Sequence, residues 1–180
     1  KYQLYNEKLQ KELQEENRKI DVSNLGISAR TREARAKAFE AIRAGNGREA
    51  ALRMIGYHQV YPLDVGAFAL YVTSLALYLP DGPEWVGPVL WSSLNAAQPR
   101  SLSEAEKLLG TTVKDFPNRV TPAEALIYTQ LLLGKEKAAL ATAQTLLGNK
   151  PDDPLRQRLV FETALAARDS RTAAKALGAI

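Results

Sequence analysis

Residues able to do chemistry are few in this chain. His58 is the only imidazole among 180 residues, and there is no cysteine. A Cys/His zinc site draws on several such ligands and a disulfide framework on paired cysteines, so neither can be assembled here. His58 has no Ser or Cys nucleophile motif beside it and lacks the signature of a catalytic triad. In the helical core the carboxylates are scattered, with none recurring three or four residues apart to make a metal cage or an acid–base pair. Gly45-Asn46-Gly47 reads as a turn and lacks the spacing of a phosphate-binding loop. The sequence therefore argues against an enzyme and calls for no metal and no cofactor. Trp85 and Trp91 remain as recognition chemistry. They stand six residues apart, so a helix turns them to different faces; one is expected in the core and the other as an exposed docking aromatic.

Whatever positions such side chains is helical. Alanine and leucine dominate and β-branched alternation is nearly absent, which makes the class all-α. With 46% hydrophobic and 24% charged residues, the composition suits one compact domain. The net charge of +4 is spread along the chain rather than gathered on one stretch, which argues against a nucleic-acid partner. Val65–Leu79 is the longest uncharged run, 15 residues, short of the roughly 20 that cross a bilayer, and reads as a buried core helix. A membrane enters only through an anchor upstream of Lys1, an expectation raised by a chain that begins without Met. Lack of cysteine fits a bacterial periplasm or cell envelope better than the cytoplasm.

Residues 1–27 read as a charged N-terminal helix and linker, and 28–180 as a helical repeat domain with an irregular insertion around 80–101. Within Lys1–Ile20, Glu7 and Lys11, then Glu15 and Lys19, are spaced to pair across a helical turn. Tyr2, Leu9, Leu13 and Ile20 fall on a seam through which two copies could associate, although Glu16 interrupts it.

The repeat domain is punctuated at a period of 34. Pro117 to Pro151, Ala105 to Ala139 and Ala139 to Ala173 all span that interval. Gly45 and Gly134 mark turns, Asp64 is placed to cap a helix over Val65–Leu79, and Asp153-Pro154 opens another. Ser101-x-x-Glu104 and Thr121-Pro122-Ala123-Glu124 read as capping boxes opening two more. From Pro62 to Pro117 the interval is 55, one period plus 21. The surplus lies around the tryptophans, where Asp81 or Gly82 before Pro83 predicts an irregular helix over about 83–97.

The turn glycines, the alanines Ala50, Ala105, Ala139 and Ala173, the prolines Pro62, Pro117 and Pro151, and Leu126 together make the chain resemble the tetratricopeptide repeat (TPR) family. Ile127 and Phe161 stand where that family usually has glycine, and its helix A tryptophan is not in place. The resemblance implies a right-handed superhelical solenoid of antiparallel helix pairs. It also implies a concave partner-binding face on Arg32, Arg35 and Phe39, then Glu124, Tyr128 and Leu131, then Arg158 and Glu162. The expected role is a non-catalytic protein–protein scaffold docking another protein of the same assembly. Bacterial envelope machines, such as exopolysaccharide export or secretion scaffolds, are the hosts it suggests. A polysaccharide- or glycan-contacting surface, and a homo-oligomeric rod joined through 1–20, stay open beside it.

Overall fold

The computed structural model describes residues 29–60 and 64–180, with side chains over 32–54 and 64–180. The expected N-terminal helix, its linker and the imidazole of His58 lie outside these. Among the described residues the structure is all-helical, with nine helices: α1 Ala29–Arg43, α2 Gly47–Val60, α3 Val65–Tyr78, α4 Val86–Asn95, α5 Pro99–Asp115, α6 Val120–Leu132, α7 Glu136–Gly148, α8 Pro154–Ala166 and α9 Ser170–Leu177. The boundaries follow local chemistry. Gly45 and Gly134 adopt left-handed φ values of 71° and 69° in the turns after α1 and α6, a conformation that only glycine takes without strain. Asp64 caps α3 by accepting from Ala67 N, and Asp153 caps α8 by accepting from Leu155 N and Arg156 N.

Both capping boxes are corrected. α5 begins at Pro99, and Ser101 is a buried residue of its first turn. Proline at the first helical position opened that helix without a side-chain cap. α6 begins at Val120 with no cap from its own segment. Its first-turn donors go instead to Asp81: Oδ1 accepts from Val120 N at 3.1 Å and Thr121 N at 2.8 Å. The acid read as the start of the insertion helix thus closes the N-terminus of a helix some 40 residues further on. Arg119 Nε donates to Asp81 Oδ2 at 2.9 Å, while its Nη2 donates to Leu77 O and Leu79 O at the C-terminal end of α3. Together Arg119 and Asp81 staple the end of α3 to the start of α6.

Packing order explains why a staple is needed there. α1 packs on α3 and α6 on α8, each pair straddling the one helix between them. Between α3 and α6 stand two helices, α4 and α5, yet α6 packs directly on α3. The bonds of Asp81 and Arg119 place the start of α6 where α3 stops. α5 correspondingly ends beside the end of α1: a Cβ on Gly45 would lie 2.8 Å from the Phe116 ring.

Small residues allow these approaches. Ala50, Ala105 and Ala139 are fully buried and Ala173 nearly so, each at a helix–helix contact. α3 is buried on most of its surface, as its uncharged sequence predicts. The helix of the insertion is equally part of the core. Its buried residues Val86, Leu90 and Leu94 join Phe68, Val72, Leu109 and Leu126 in the central cluster. Each leucine buried there contributes about 2 kcal/mol, so α4 is anchored rather than a loose flap. Neither tryptophan takes a core position: Trp85 is 52% and Trp91 39% exposed, correcting the expectation that one would be buried. Aliphatic residues already fill the inward side of this ten-residue helix.

Candidate interaction site

The eight residues expected on a partner-binding face fall into two groups. Four of them meet where α4, α6 and α8 converge. Glu124 and Tyr128 lie one turn apart on α6, and Arg158 and Glu162 one turn apart on α8. The 34-residue period places each pair opposite the other. Tyr128 OH donates to Glu124 Oε1 at 2.8 Å. Arg158 Nη2 stands 3.7 Å from the same oxygen, and its Nε stands 3.4 Å from Glu162 Oε1. That Nε is buried and makes no hydrogen bond among the described residues.

α4 covers part of this cluster, which the repeat pattern does not foretell. Glu124 is only 3% exposed. Gly87 sits directly over it: a Cβ there would fall 2.8 Å from Glu124 Oε1 and 2.9 Å from Tyr128 OH. Trp91 meets Tyr128 edge-on, with ring centroids 5.5 Å apart and planes at 87°, the arrangement in which a ring edge meets an electron-rich face. An open groove wall at Glu124 and Tyr128 is thus replaced by a lidded one. Arg158, Glu162 and the outer face of Trp91 remain in contact with solvent.

Burial sets the electrostatics. It raises the Glu124 carboxyl above the ordinary range, against the opposing pull of the Tyr128 hydrogen bond and the Arg158 charge. Burial, with the neighbouring Glu124 charge, likewise holds the Tyr128 phenol protonated well beyond neutral pH. Tyr128 is therefore a hydrogen-bond donor and not a base. Glu162 is also raised by burial, and Arg158 counteracts this. The cluster has no nucleophile beside a base, and no group of acids or imidazoles able to hold a metal ion occurs among the described residues. Its capacity is for recognition, through an arginine held between two carboxylates with an aromatic edge beside it.

Leu131, on the same helix, is half-buried against the C-terminal core. Arg32, Arg35 and Phe39 form the second group, on α1. Arg35 Nη1 donates to Asp64 Oδ2 at 3.0 Å, and its guanidinium fills the space over Gly66. Phe39 is 43% exposed and lines, with Arg35, Glu104 and Leu108, a cavity of about 380 Å³ between α1, α3 and α5. Arg32 is exposed. Gly87 and Arg119 had no expected role and Asp81 was expected only to open the insertion helix; composition alone could not assign their contacts because each acts on a distant helix. Among the described residues no helix is long and apolar enough to cross a membrane.

No known protein family's sequence profile matches the chain, and no curated protein matches it either. Among solved structures, one of MamA AMB-1 aligns over 83% of this chain and 87% of its own, at 16% identity and a TM-score of 0.34. A second MamA AMB-1 structure aligns over 84% of this chain and 95% of its own, at 15% identity and a TM-score of 0.33. MamA MSR-1 covers 84% and 93%, also at 15% identity and 0.33.

Proposed function

We infer that this chain is a non-catalytic interaction module of TPR type, its helix pairs antiparallel and stacked into a superhelix, docking a protein partner on the face formed by α6 and α8. The observation that supports this best is one-sided packing. α6 packs directly on α8, and α1 on α3, whereas α5, α7 and α9 do not pack side by side. A stack tight on one side and splayed on the other curves toward the tight side, and such concave surfaces are what helical solenoids use for binding. Arg158 and Glu162 stand on that side with Trp91 at its edge. Arginine and tryptophan are residue types that anchor interfaces. A host assembly in a bacterial envelope is compatible with this reading and rests only on the sequence.

The test is affinity capture from soluble and envelope extracts with wild-type protein beside R158E and W85A. One stoichiometric protein retained by the wild type and by W85A, and lost by R158E, is the expected result. Retention by R158E with loss in W85A would move the site to the outer face of α4. No protein captured from either extract would favour the second reading, a glycan-contacting surface, for which the solvent exposure of both Trp85 and Trp91 is the supporting observation. The domain division at residue 28 and self-association through 1–20 are tested by light scattering on the full chain and on a variant lacking Lys1–Ile20.

A further inference from the structure

α5 and α7 flank α6 and both pack on it, but they do not pack on each other. The space between them is an open cavity of about 380 Å³. Leu126 and Leu146 form its floor, with Val113 beside them, and Gly110 and Ala141 face it from the two walls. Its polar lining is consumed internally. The Thr142 and Thr145 hydroxyls lie within hydrogen-bond distance of Ala138 O and Ala141 O, and Asn149 Nδ2 donates to Pro117 O. The lining is mostly hydrocarbon, with Thr145 and Asn149 exposed at its rim, and carries one charge, the Lys114 ammonium, which has no ion-pair partner among the described residues. Two contacts tie the groove's walls together, one toward each end. Lys135 Nζ bonds Glu106 Oε2 at 2.6 Å at one, and Asn149 bridges to Pro117 at the other. From Glu106 to Asp115, where α5 ends, the helix advances about 14 Å, room for a helix of nearly three turns laid alongside.

Gly110 is the second observation. It stands inside α5, where glycine destabilises a helix relative to alanine. A Cβ there would meet nothing within 4 Å, so no neighbour in the chain requires its absence. The space that Gly110 leaves clear is the groove itself.

We propose that the α5–α7 groove docks the apolar face of an amphipathic helix, about three turns long, from a partner protein, with a carboxylate of that helix set against Lys114. The complement of a hydrocarbon floor with one unpaired cation at its rim is a leucine-type stripe flanked by an acid. The apolar floor supplies affinity, and the exposed lysine fixes register and orientation. This face is separate from the α6–α8 wall, and either site could fail without the other.

Two synthetic peptides of about 14 residues test it, sharing one leucine stripe and differing only in a flanking Glu or Lys. Titration by calorimetry and by amide NMR shifts, with dodecanoate as a competing amphiphile, reads the result. The Glu peptide is expected to bind saturably and shift Gly110, Lys114 and Ala141, and the Lys peptide to bind about fivefold more weakly. K114E reverses that order. G110L fills the groove and lowers affinity about tenfold or more, while its helical signal persists and its Tm rises. Should G110L lose its helical signal, A141L occupies the same space from the facing helix. R158E leaves peptide binding unchanged. Absence of saturable binding, binding indifferent to both G110L and A141L, an unreversed order in K114E, or displacement of both peptides by dodecanoate would each overturn the proposal.

Discussion

The turn into α8 and the joint between α3 and α6 solve one problem with the same two residue types at very different range. In each, an aspartate closes a helix N-terminus and an arginine beside it satisfies carbonyls left over at the end of an earlier helix. At α8 the pair is local: Asp153 accepts from Leu155 N and Arg156 N, and Arg156 Nη1 reaches back to Leu146 O at 2.7 Å. Its Nη2 donates to Asn118 O. At the joint Asp81 and Arg119 lie 38 residues apart in sequence, and the same work draws three chain segments together. A regular repeat carries its fastener within one turn of the helix it opens. An extra helix breaks the period, and the fastener has to be assembled from both sides of the break.

The largest expected effect comes from the local device, because Arg156 is 1% exposed. R156M keeps volume but strands two carbonyls and Asp153, and is expected to cost about 3 kcal/mol in chemical denaturation. D81A comes next, at about 2 kcal/mol, against about 1 kcal/mol for D153A: each aspartate serves two backbone donors, but Asp81 also accepts from Thr121 Oγ1 at 2.8 Å and Arg119 Nε at 2.9 Å, whereas Arg156 Nε stands 3.4 Å from Asp153. D81N sharpens the contrast by keeping an acceptor oxygen while removing the charge. The ion pair is partly exposed, so D81N should retain all but about 1 kcal/mol. Equal losses in D81A and D153A, with D81N no better than D81A, would break the comparison. G87A probes the seat of α4. A methyl there must displace Glu124 and Tyr128 side-chain tips, at an expected cost of about 1 kcal/mol and with a change in Trp fluorescence.

The smallest effect is a slope. Burial raises Glu124 in the folded chain, so the native state holds that proton more tightly than the unfolded one. The resulting stabilisation is full below the unfolded pKa and is lost as pH rises through the folded one. E124Q should therefore flatten the decline in stability between acidic and neutral pH, and urea midpoints at pH 4, 5, 6 and 7 would show it (the pH values are about one unit apart, as a carboxyl titration needs). A slope unchanged by E124Q would mean that the carboxylate is solvated beneath α4.

How much of this was legible in sequence depends on the range of each interaction. Asp64 and Asp153 could be read because their donors lie within three residues. Asp81 could not, because its donors belong to a helix after two others. The Ser101 box misled because Pro99, two residues earlier, already opened the helix. At the site, the period put Glu124 and Tyr128 in register with Arg158 and Glu162, since both pairs are separated by one repeat. The cover over them lies outside the period. Val86, Leu90 and Leu94 mark one side of α4 as apolar, but nothing in their spacing says that α6 receives it.

On the proposed function, a protein docks on the face where α6 meets α8, beside the edge of α4. A photo-crosslinking residue at Glu162 tests it most directly, compared with the same residue at Glu136, which opens α7. Incubation in extract should give one discrete crosslinked protein from position 162, abolished by R158E, and none from position 136. The same protein crosslinked from both positions, or a band at 162 that survives R158E, would contradict the account.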